Sequence, residues 1–203
     1  MRRILGVLAP LLSAILLIAA VPKAGDAPGA SSLAGQLLIA SPNLDDPHFS
    51  HTVILLVRHD ASGALGIIIN RPVAERSLVT LLEAIGIRDD EVTGSVEIFA
   101  GGPVQRTVGF ILHDSAYHRR ETVAIDDHVA MTSSPEVLRD IGHHKGPAKA
   151  LVAFGYAGWG PGQLESEMAR NDWFTMPEEI KIIFDEDREK VWDDAIARHP
   201  RDL

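Results

Sequence analysis

Two β-branched runs separated by a short turn constrain this chain more than any other feature of its sequence. The first run, HTVILLVRH, covers residues 51–59, and the second, ALGIIINRP, covers residues 64–72. Near-continuous apolar runs rich in valine and isoleucine are typical of strands buried on both faces. The segment DASG at 60–63 supplies turn-forming residues between them. The sequence therefore predicts an antiparallel hairpin within the core.

Helices and further strands are predicted on both sides of this hairpin. Helices are predicted over 77–86 with Ser77 as N-cap, over 133–142 with Ser134 as N-cap, over 160–172, and as one broken or two short helices over 177–199. Strands are predicted over 35–42, 96–104 (with a break at the Gly-Gly-Pro turn), 107–114, 122–132 and 149–157. The irregular mixture predicts a single α+β domain over residues 33–203 rather than a doubly wound sheet.

The charge balance and the lack of cysteine exclude several functional classes. The 203 residues include 19 basic and 28 acidic side chains, a net charge of −9. Without the first 30 residues, which hold three basic and one acidic side chain, 16 basic residues face 27 acidic ones. Non-specific nucleic-acid binding needs a basic face, so the acidic body argues against it. Zero cysteines exclude disulfides, thiol catalysis and Cys-ligated metal sites.

The N-terminus has the pattern of an export signal. Arg2 and Arg3 precede an uncharged apolar stretch over residues 4–21, and small residues follow it. The same stretch reaches the lower length limit of a membrane-spanning helix. Residues 1–21 are therefore predicted to be an apolar helix serving as signal peptide or membrane anchor, with membrane contact through 4–21 if it is not cleaved. Residues 22–32 are a flexible linker. The alternative is a misassigned start, with a cytoplasmic protein beginning near Leu33.

The glycine-rich segment GYAGWGPGQLESEM, residues 155–168, admits two interpretations. Backbone N–H groups at a helix start favour anions, which would make the segment a phosphate cradle. However, it lacks the Lys-Ser/Thr of a P-loop, and Pro161 removes one donor. Glu165 and Glu167 already place negative charge there. A structural corner between strand and helix is the preferred interpretation, with Trp159 at its tip available to line a groove or an interface.

Nine histidines raise the question of metal binding or proton transfer. His48 and His51 beside Asp45 and Asp46 resemble part of a metal site, but such a site needs three or four converging ligands. We predict neither metal nor cofactor. His59 and His113 each precede an aspartate at a strand end, where bonding to turn backbone is the preferred role and proton transfer the alternative. In Asp126-Asp127-His128, a solvated loop is preferred over a carboxylate–base pair.

Support for nucleophilic catalysis is weak, because the chain has no G-x-S-x-G motif. Ser133 and Ser134 are better explained by helix capping. The Gly101-Gly102-Pro103 turn is interpreted as a strand break rather than a binding nest. Arg71 is predicted to pair with an acid such as Glu75, and the alternative is that it clamps an anion.

Several separate blocks together resemble the YqgE/AlgH family of bacterial proteins. They are LLIASPNLDDPHFSHTVILLVRHDASGALGIIINRP, FAGGPV, LHD and GYAGWGPGQLESEMARNDWF, and the resemblance extends over about residues 33–200. It implies one α+β domain with a branched mixed sheet, a small barrel-like portion and surrounding helices. It also implies a regulatory role in the transcription of exopolysaccharide genes, and it transfers no catalytic residues. Usual members begin near the QLLIA strand and are cytoplasmic, so the export-like segment is a departure.

The sequence thus favours a non-enzymatic binding or regulatory protein, exported if its N-terminal segment functions and cytoplasmic otherwise. The expected partner is a protein or a small anion. The alternatives are an enzyme or binder acting on a phosphorylated or otherwise anionic small molecule, and a cytoplasmic transcription regulator. The candidate ligand or partner residues are His59, Arg71, Gly101, Gly102, Pro103, His113, Trp159 and Gly160.

Overall fold

The computed structural model describes residues 32–198 of the chain. The signal peptide or anchor predicted over 1–21, its apolar helix and nearly all of the 22–32 linker lie outside the described residues. Within 32–198, no helix has both the length and the hydropathy that crossing a bilayer requires.

One mixed, strongly curved sheet dominates the domain. Its strands are β1 (Gln36–Ala40), β2 (Val53–Asp60), β3 (Gly63–Ile68), β4 (Pro72–Ser77), β5 (Ser95–Ala100), β6 (Val104–Asp114), β7 (Val123–Ala124), β8 (Val129–Thr132), β9 (Ala150–Trp159) and β10 (Trp173–Pro177). The main path runs β10-β1-β2-β3-β9-β6-β8-β7 and curls into a half-barrel. The single-domain α+β class is confirmed.

The predicted hairpin is confirmed as β2 and β3. Asp60 pairs with Gly63, so only two residues form the turn. Ser62 donates its backbone N–H to Asp60 Oδ1 at 2.7 Å, an Asx-type contact that sets the reversal. The first four residues of β2 and five of the six residues of β3 are buried, as a continuous apolar sequence requires.

The predicted branch in the sheet occurs at β9. This strand pairs with β6 along one edge. On the other edge it pairs with β3 near Trp159 and, in parallel, with β5 around Ala153. β5 in turn carries β4, which lies off the main path. The Gly-Gly-Pro turn separates β5 from β6, as predicted.

Five short helices cover the sheet within the described residues. They are α1 (Leu78–Ala84), α2 (Glu136–Gly142), α3 (Gln163–Ala169), α4 (Ile180–Phe184) and α5 (Val191–Arg198). The C-terminal pair confirms the prediction of two short helices. Trp192 and Ile196 both pack against the main apolar core, as expected for side chains on one helix face.

The N-cap position predicted for Ser77 is confirmed, and the one predicted for Ser134 is wrong. Ser77 occupies the N-cap of α1 but makes no side-chain capping bond, and the N-cap of α2 is Pro135 rather than Ser134. The segment 122–132 also differs from its prediction, since a turn divides it into β7 and β8. Asp126 Oδ1 accepts the backbone N–H groups of His128 and Val129 there, which stabilises the turn at the expense of the ladder.

Candidate functional site

Three of the predicted site residues lie together at the corner where β9 leads into α3. His59 pairs with Ala64 in the hairpin, and Ala64 pairs with Trp159 in the next ladder. Gly160 follows directly and donates its backbone N–H to Oε1 of Gln163 at 3.0 Å. The sheet register therefore brings His59, Trp159 and Gly160 into one neighbourhood.

Both ring nitrogens of His59 are engaged at this corner. Its Nδ1 accepts the backbone N–H of Leu33 at 3.0 Å, so Nε2 carries the proton and donates to Glu165 Oε1 at 2.9 Å. The imidazole side chain is only 7% exposed. The pKa of Glu165 is lowered by its own backbone N–H and then by His59. These contacts join the beginning of the described domain to α3.

Trp159 lies in the core rather than at an exposed loop tip, which corrects the sequence interpretation. It is 5% exposed, and its indole N–H donates to Glu167 Oε2 at 2.8 Å. Trp173 donates to the same oxygen at 2.9 Å, and Phe49 packs against both indoles. Gln163 Nε2 donates to the other carboxylate oxygen at 2.9 Å. The closed cluster leaves Trp159 little surface to offer a partner.

The glycine-rich segment forms the turn between β9 and α3. Gly162 adopts a left-handed φ of 73° at the N-cap, and α3 begins at the next residue. Glu165 lies in the first turn, where its negative charge complements the helix dipole. The helix has only seven residues. This geometry matches a structural corner better than a phosphate cradle.

Arg71 is engaged by backbone carbonyls rather than by the predicted acid. Its guanidinium donates to His48 at 2.6 Å, to Ser50 at 2.9 Å and to Pro47 at 3.4 Å. The pKa of Arg71 is lowered, because burial removes water from the cation. The predicted partner Glu75 instead accepts from the hydroxyl of Ser95. Arg71 thus fixes the loop that precedes β2.

The Gly101-Gly102-Pro103 turn packs directly on the β9 backbone. Gly101 donates its N–H to Phe154 at 2.8 Å. A Cβ on Gly102 would lie 2.1 Å from the carbonyl carbon of Tyr156, so only glycine fits the approach. Pro103 is exposed beside these two buried glycines. The glycines serve the close contact between strands.

His113 is fully buried on β6. Its Nδ1 donates to the backbone oxygen of Asp114 at 2.8 Å, which is the turn-backbone contact predicted for a histidine at a strand end. The ring edge meets Tyr117 with centroids 5.2 Å apart. Its Nε2 has no hydrogen-bond partner among residues 32–198.

His59, Arg71 and His113, the three titratable candidates, therefore occupy three separate places. His113 pairs with Ala150 at one end of β9, whereas Trp159 ends the same strand. Nine strand steps separate those positions, roughly 30 Å at the usual rise. Arg71 lies beyond the opposite end of β3 from the His59 corner. His59, Arg71 and His113 do not gather around a common pocket.

His48 and His51, the pair that resembled part of a metal site, also point to different neighbours. His48 Nδ1 lies 3.1 Å from Asp46 Oδ1, whereas the His51 ring lies against Trp192 with centroids 4.2 Å apart. His51 Nδ1 contacts the hydroxyl of Ser50 at 2.7 Å. The two imidazoles face different neighbours.

An apolar groove, which the sequence analysis did not identify, opens between α1, α2 and the sheet. We call this hollow of about 270 Å³ the α1–α2 groove. Ile85 on its rim is 55% exposed, whereas Ile111 on its floor is 4% exposed. The lining side chains are apolar or carry only hydroxyl groups, and they belong to Leu81, Ile85, Ile87, Thr107, Gly109, Ile111, Ser133, Pro135, Leu138, Val152 and Phe154. These residues come from α1, β6, α2, β9 and the loops next to the two helices, and they share no local motif.

A charged network at Asp89 fixes the two helical walls of the groove. Asp89 Oδ2 accepts from Arg139 Nη2 at 2.8 Å and from His143 Nε2 at 3.0 Å. These bonds, His143 first and then Arg139, lower the pKa of Asp89 to about 2. Because Asp89 follows α1 and both donors belong to α2 or its end, the network sets the spacing between the walls.

Comparisons with known proteins agree with the fold. The AlgH-like family model matches residues 37–203. A UPF0301 protein of Jannaschia is 43% identical over 166 residues, covering 81% of this chain and 86% of that protein. A UPF0301 protein of Thioalkalivibrio sulfidiphilus is 41% identical over 173 residues, covering 85% of this chain and 92% of that protein.

Two solved structures are similar over most of the chain. The solution structure of the AlgH protein of Pseudomonas aeruginosa matches with a TM-score of 0.71 and 37% identity, covering 87% of this chain and 92% of that one. A crystal structure from Corynebacterium diphtheriae has a TM-score of 0.66 at 21% identity and shows the shared fold alone. The sequence resemblance is confirmed: this chain belongs to the AlgH-like family.

Proposed function

We propose that this chain is a non-enzymatic binding or regulatory protein that takes an apolar side chain of a protein partner into the α1–α2 groove. The observation that supports the proposal is the groove itself, an apolar hollow beside the exposed side chain of Ile85. Exposed apolar surface beside a concavity is typical of interaction sites.

The size of the groove favours a side chain over a cofactor. A dry apolar cavity of about 150 Å³ holds benzene. A hollow of about 270 Å³ therefore admits one large or two small apolar side chains. Full burial of one such side chain contributes about 1.5–3 kcal/mol, the scale of a single interface hot spot.

The lining argues against an anionic small molecule as the ligand. A phosphate needs cations or several N–H donors, whereas the groove offers apolar groups and the hydroxyls of Thr107 and Ser133. Arg71, the cation that the sequence suggested for this role, already donates to three carbonyls. The acidic charge balance likewise disfavours the transcription regulator.

Cellular location is a separate part of the proposal. The two arginines and the uncharged stretch over 4–21 support export, either with cleavage or as an anchor. N-terminal sequencing of the protein from fractionated cells tests this. A start beyond residue 21, or full-length protein in the membrane fraction, supports export, and full-length protein in the cytosol contradicts it.

In-cell photo-cross-linking tests the groove. A photo-reactive residue at position 85 is expected to yield a discrete protein adduct that Thr107→Glu and Gly109→Leu abolish. Thr107 is exposed, and a Cβ on Gly109 would meet Phe154 at an ordinary 3.5 Å, so both changes act in the groove. The same probe at Val73, which is 66% exposed outside the groove, is the matched control. Adducts that survive both groove variants, or that form equally from position 73, contradict the proposal.

A further inference from the structure

A histidine and two carboxylates meet where β7–β8 and the end of β10 approach each other. Asp126 and His128 lie in the β7–β8 turn, and Glu178 follows β10 directly. One ligand atom from each of the three lies within 4.8 Å of the other two. We call this group the Asp126 cluster.

One oxygen of Asp126 is buried without a partner. Oδ1 accepts the backbone N–H groups of His128 at 2.7 Å and Val129 at 2.8 Å, which completes the turn. Oδ2 is closed to water and has no hydrogen-bond partner among the described residues. A buried carboxylate oxygen that nothing compensates is unfavourable. The turn therefore accounts for the position of Oδ1, whereas no contact among the described residues accounts for the burial of Oδ2.

The two remaining members are already positioned as a pair. His128 Nδ1 lies 3.0 Å from Glu178 Oε1. Two donors on a tetrahedral zinc ion, each at about 2.0–2.1 Å, lie about 3.3 Å apart. The His128 side chain is 67% exposed, so neighbouring side chains leave its ring room to turn. Glu178 is 15% exposed and comes from the opposite side of the site.

We propose that the Asp126 cluster binds a divalent transition-metal cation, with Zn²⁺ as the best match. Imidazole nitrogen combined with carboxylate oxygen suits zinc, whereas Ca²⁺ takes 6–8 oxygen ligands and Mg²⁺ an octahedral oxygen shell. Three protein ligands leave a fourth position for water.

Metal binding at this place would connect distant parts of the chain. His128 and Glu178 are 50 residues apart, and Glu178 lies directly before the segment that enters α4. Gly35, which precedes β1, packs against the site, because a Cβ there would lie 3.1 Å from Asp126 Oδ2. The cation therefore holds the C-terminal helices to the β7–β8 turn. It acts independently of the α1–α2 groove, with which it shares no residue.

Calorimetric titration of the full chain with Zn²⁺, Mg²⁺ and Ca²⁺ tests the site. One Zn²⁺ per chain is expected, with affinity at least 10-fold above that for Mg²⁺ or Ca²⁺, and with a rise in melting temperature. Asp126→Asn keeps the oxygen that accepts both turn N–H groups, so it is expected to fold and to weaken Zn²⁺ binding at least 10-fold. Glu178→Gln and His128→Asn are expected to do the same.

The exposed His118 provides the matched control, since His118→Ala removes a surface imidazole outside the cluster. The site is supported if the affinity for Zn²⁺ is unchanged in His118→Ala and lowered in all three cluster variants. Three results overturn it: no Zn²⁺ binding, binding that the cluster variants retain, or equal affinity for Ca²⁺ or Mg²⁺. The rise in melting temperature on adding Zn²⁺ is a second, independent measurement. This rise is expected to disappear in the Asp126→Asn variant.

Discussion

Nε2 of His59 lies 2.9 Å from Oε1 of Glu165, although 106 residues separate the two in sequence. This bond, together with the one from Leu33 to Nδ1, makes His59 a connection between the hairpin, the domain start and α3. The imidazole of His59 therefore stabilises the fold.

His59→Ala is therefore expected to lower the free energy of unfolding by about 1–2 kcal/mol, because it removes two hydrogen bonds from a buried ring. Urea denaturation measures the loss, and His118→Ala on the surface provides the control. Unchanged stability in the His59 variant would indicate that the imidazole is free for another task.

Glu167 holds the aromatic cluster through one oxygen, which accepts both indole N–H groups. Glu167→Ala leaves two buried donors unpaired and is expected to destabilise the fold by roughly 2–4 kcal/mol. Glu167→Gln keeps a carbonyl acceptor and is expected to lose less. Urea unfolding followed by tryptophan fluorescence compares them, and equal losses would show that the shared acceptor contributes little.

The carboxylate of Asp89 gives the groove walls a pH-dependent contribution. Since its pKa falls from 3.8 to about 2 on folding, this contribution is complete above pH 4 and is lost as the pH falls toward 2. Asp89→Asn is expected to be less stable than the parent at pH 6, and the difference is expected to shrink below pH 4. Urea melts across this range test it, with the exposed Asp90→Asn as control. A difference that is constant with pH would contradict the ionic origin.

Gly102 lies against the β9 backbone with no space for a side chain. Gly102→Ala is expected to cost about 3 kcal/mol or more, because the new methyl group collides with the Tyr156 carbonyl. Gly86→Ala is the matched control, since no atom lies within 4 Å of that Cβ position and only its φ of 83° opposes the change. Similar stabilities of the two variants would contradict the close packing of the Gly-Gly-Pro turn.

The strongest local signals in the sequence predicted the elements that they encode. The hairpin was predictable because a continuous β-branched run has few structural alternatives. β4 and β10 were missed for different reasons. The β4 sequence PVAERS is mostly exposed and, among the strands of residues 32–198, pairs only with β5, so it lacks an apolar pattern. β10, WFTMP, follows a helical signal and is defined by its pairing with β1.

Candidate site residues were predictable only where their contacts are local. His113 bonds to the neighbouring Asp114, as a histidine at a strand end suggests. His59 bonds to Glu165 in α3, which is far away in sequence. Trp159 bonds to Glu167, a glutamate that the sequence already accounted for as a partner of the helix dipole. The groove combines α1, β6, α2 and β9, and the Asp126 cluster needs Glu178. No local pattern in the sequence records such long-range contacts.

Methyl-resolved NMR with benzene as an apolar probe tests the central claim, that recognition occurs in the α1–α2 groove, most directly. Saturable shifts are predicted for the methyl groups of Leu81, Ile85, Ile111 and Leu138, and they are predicted to vanish in Gly109→Leu. Shifts of equal size at Val73, or none at the four groove residues, would contradict the claim.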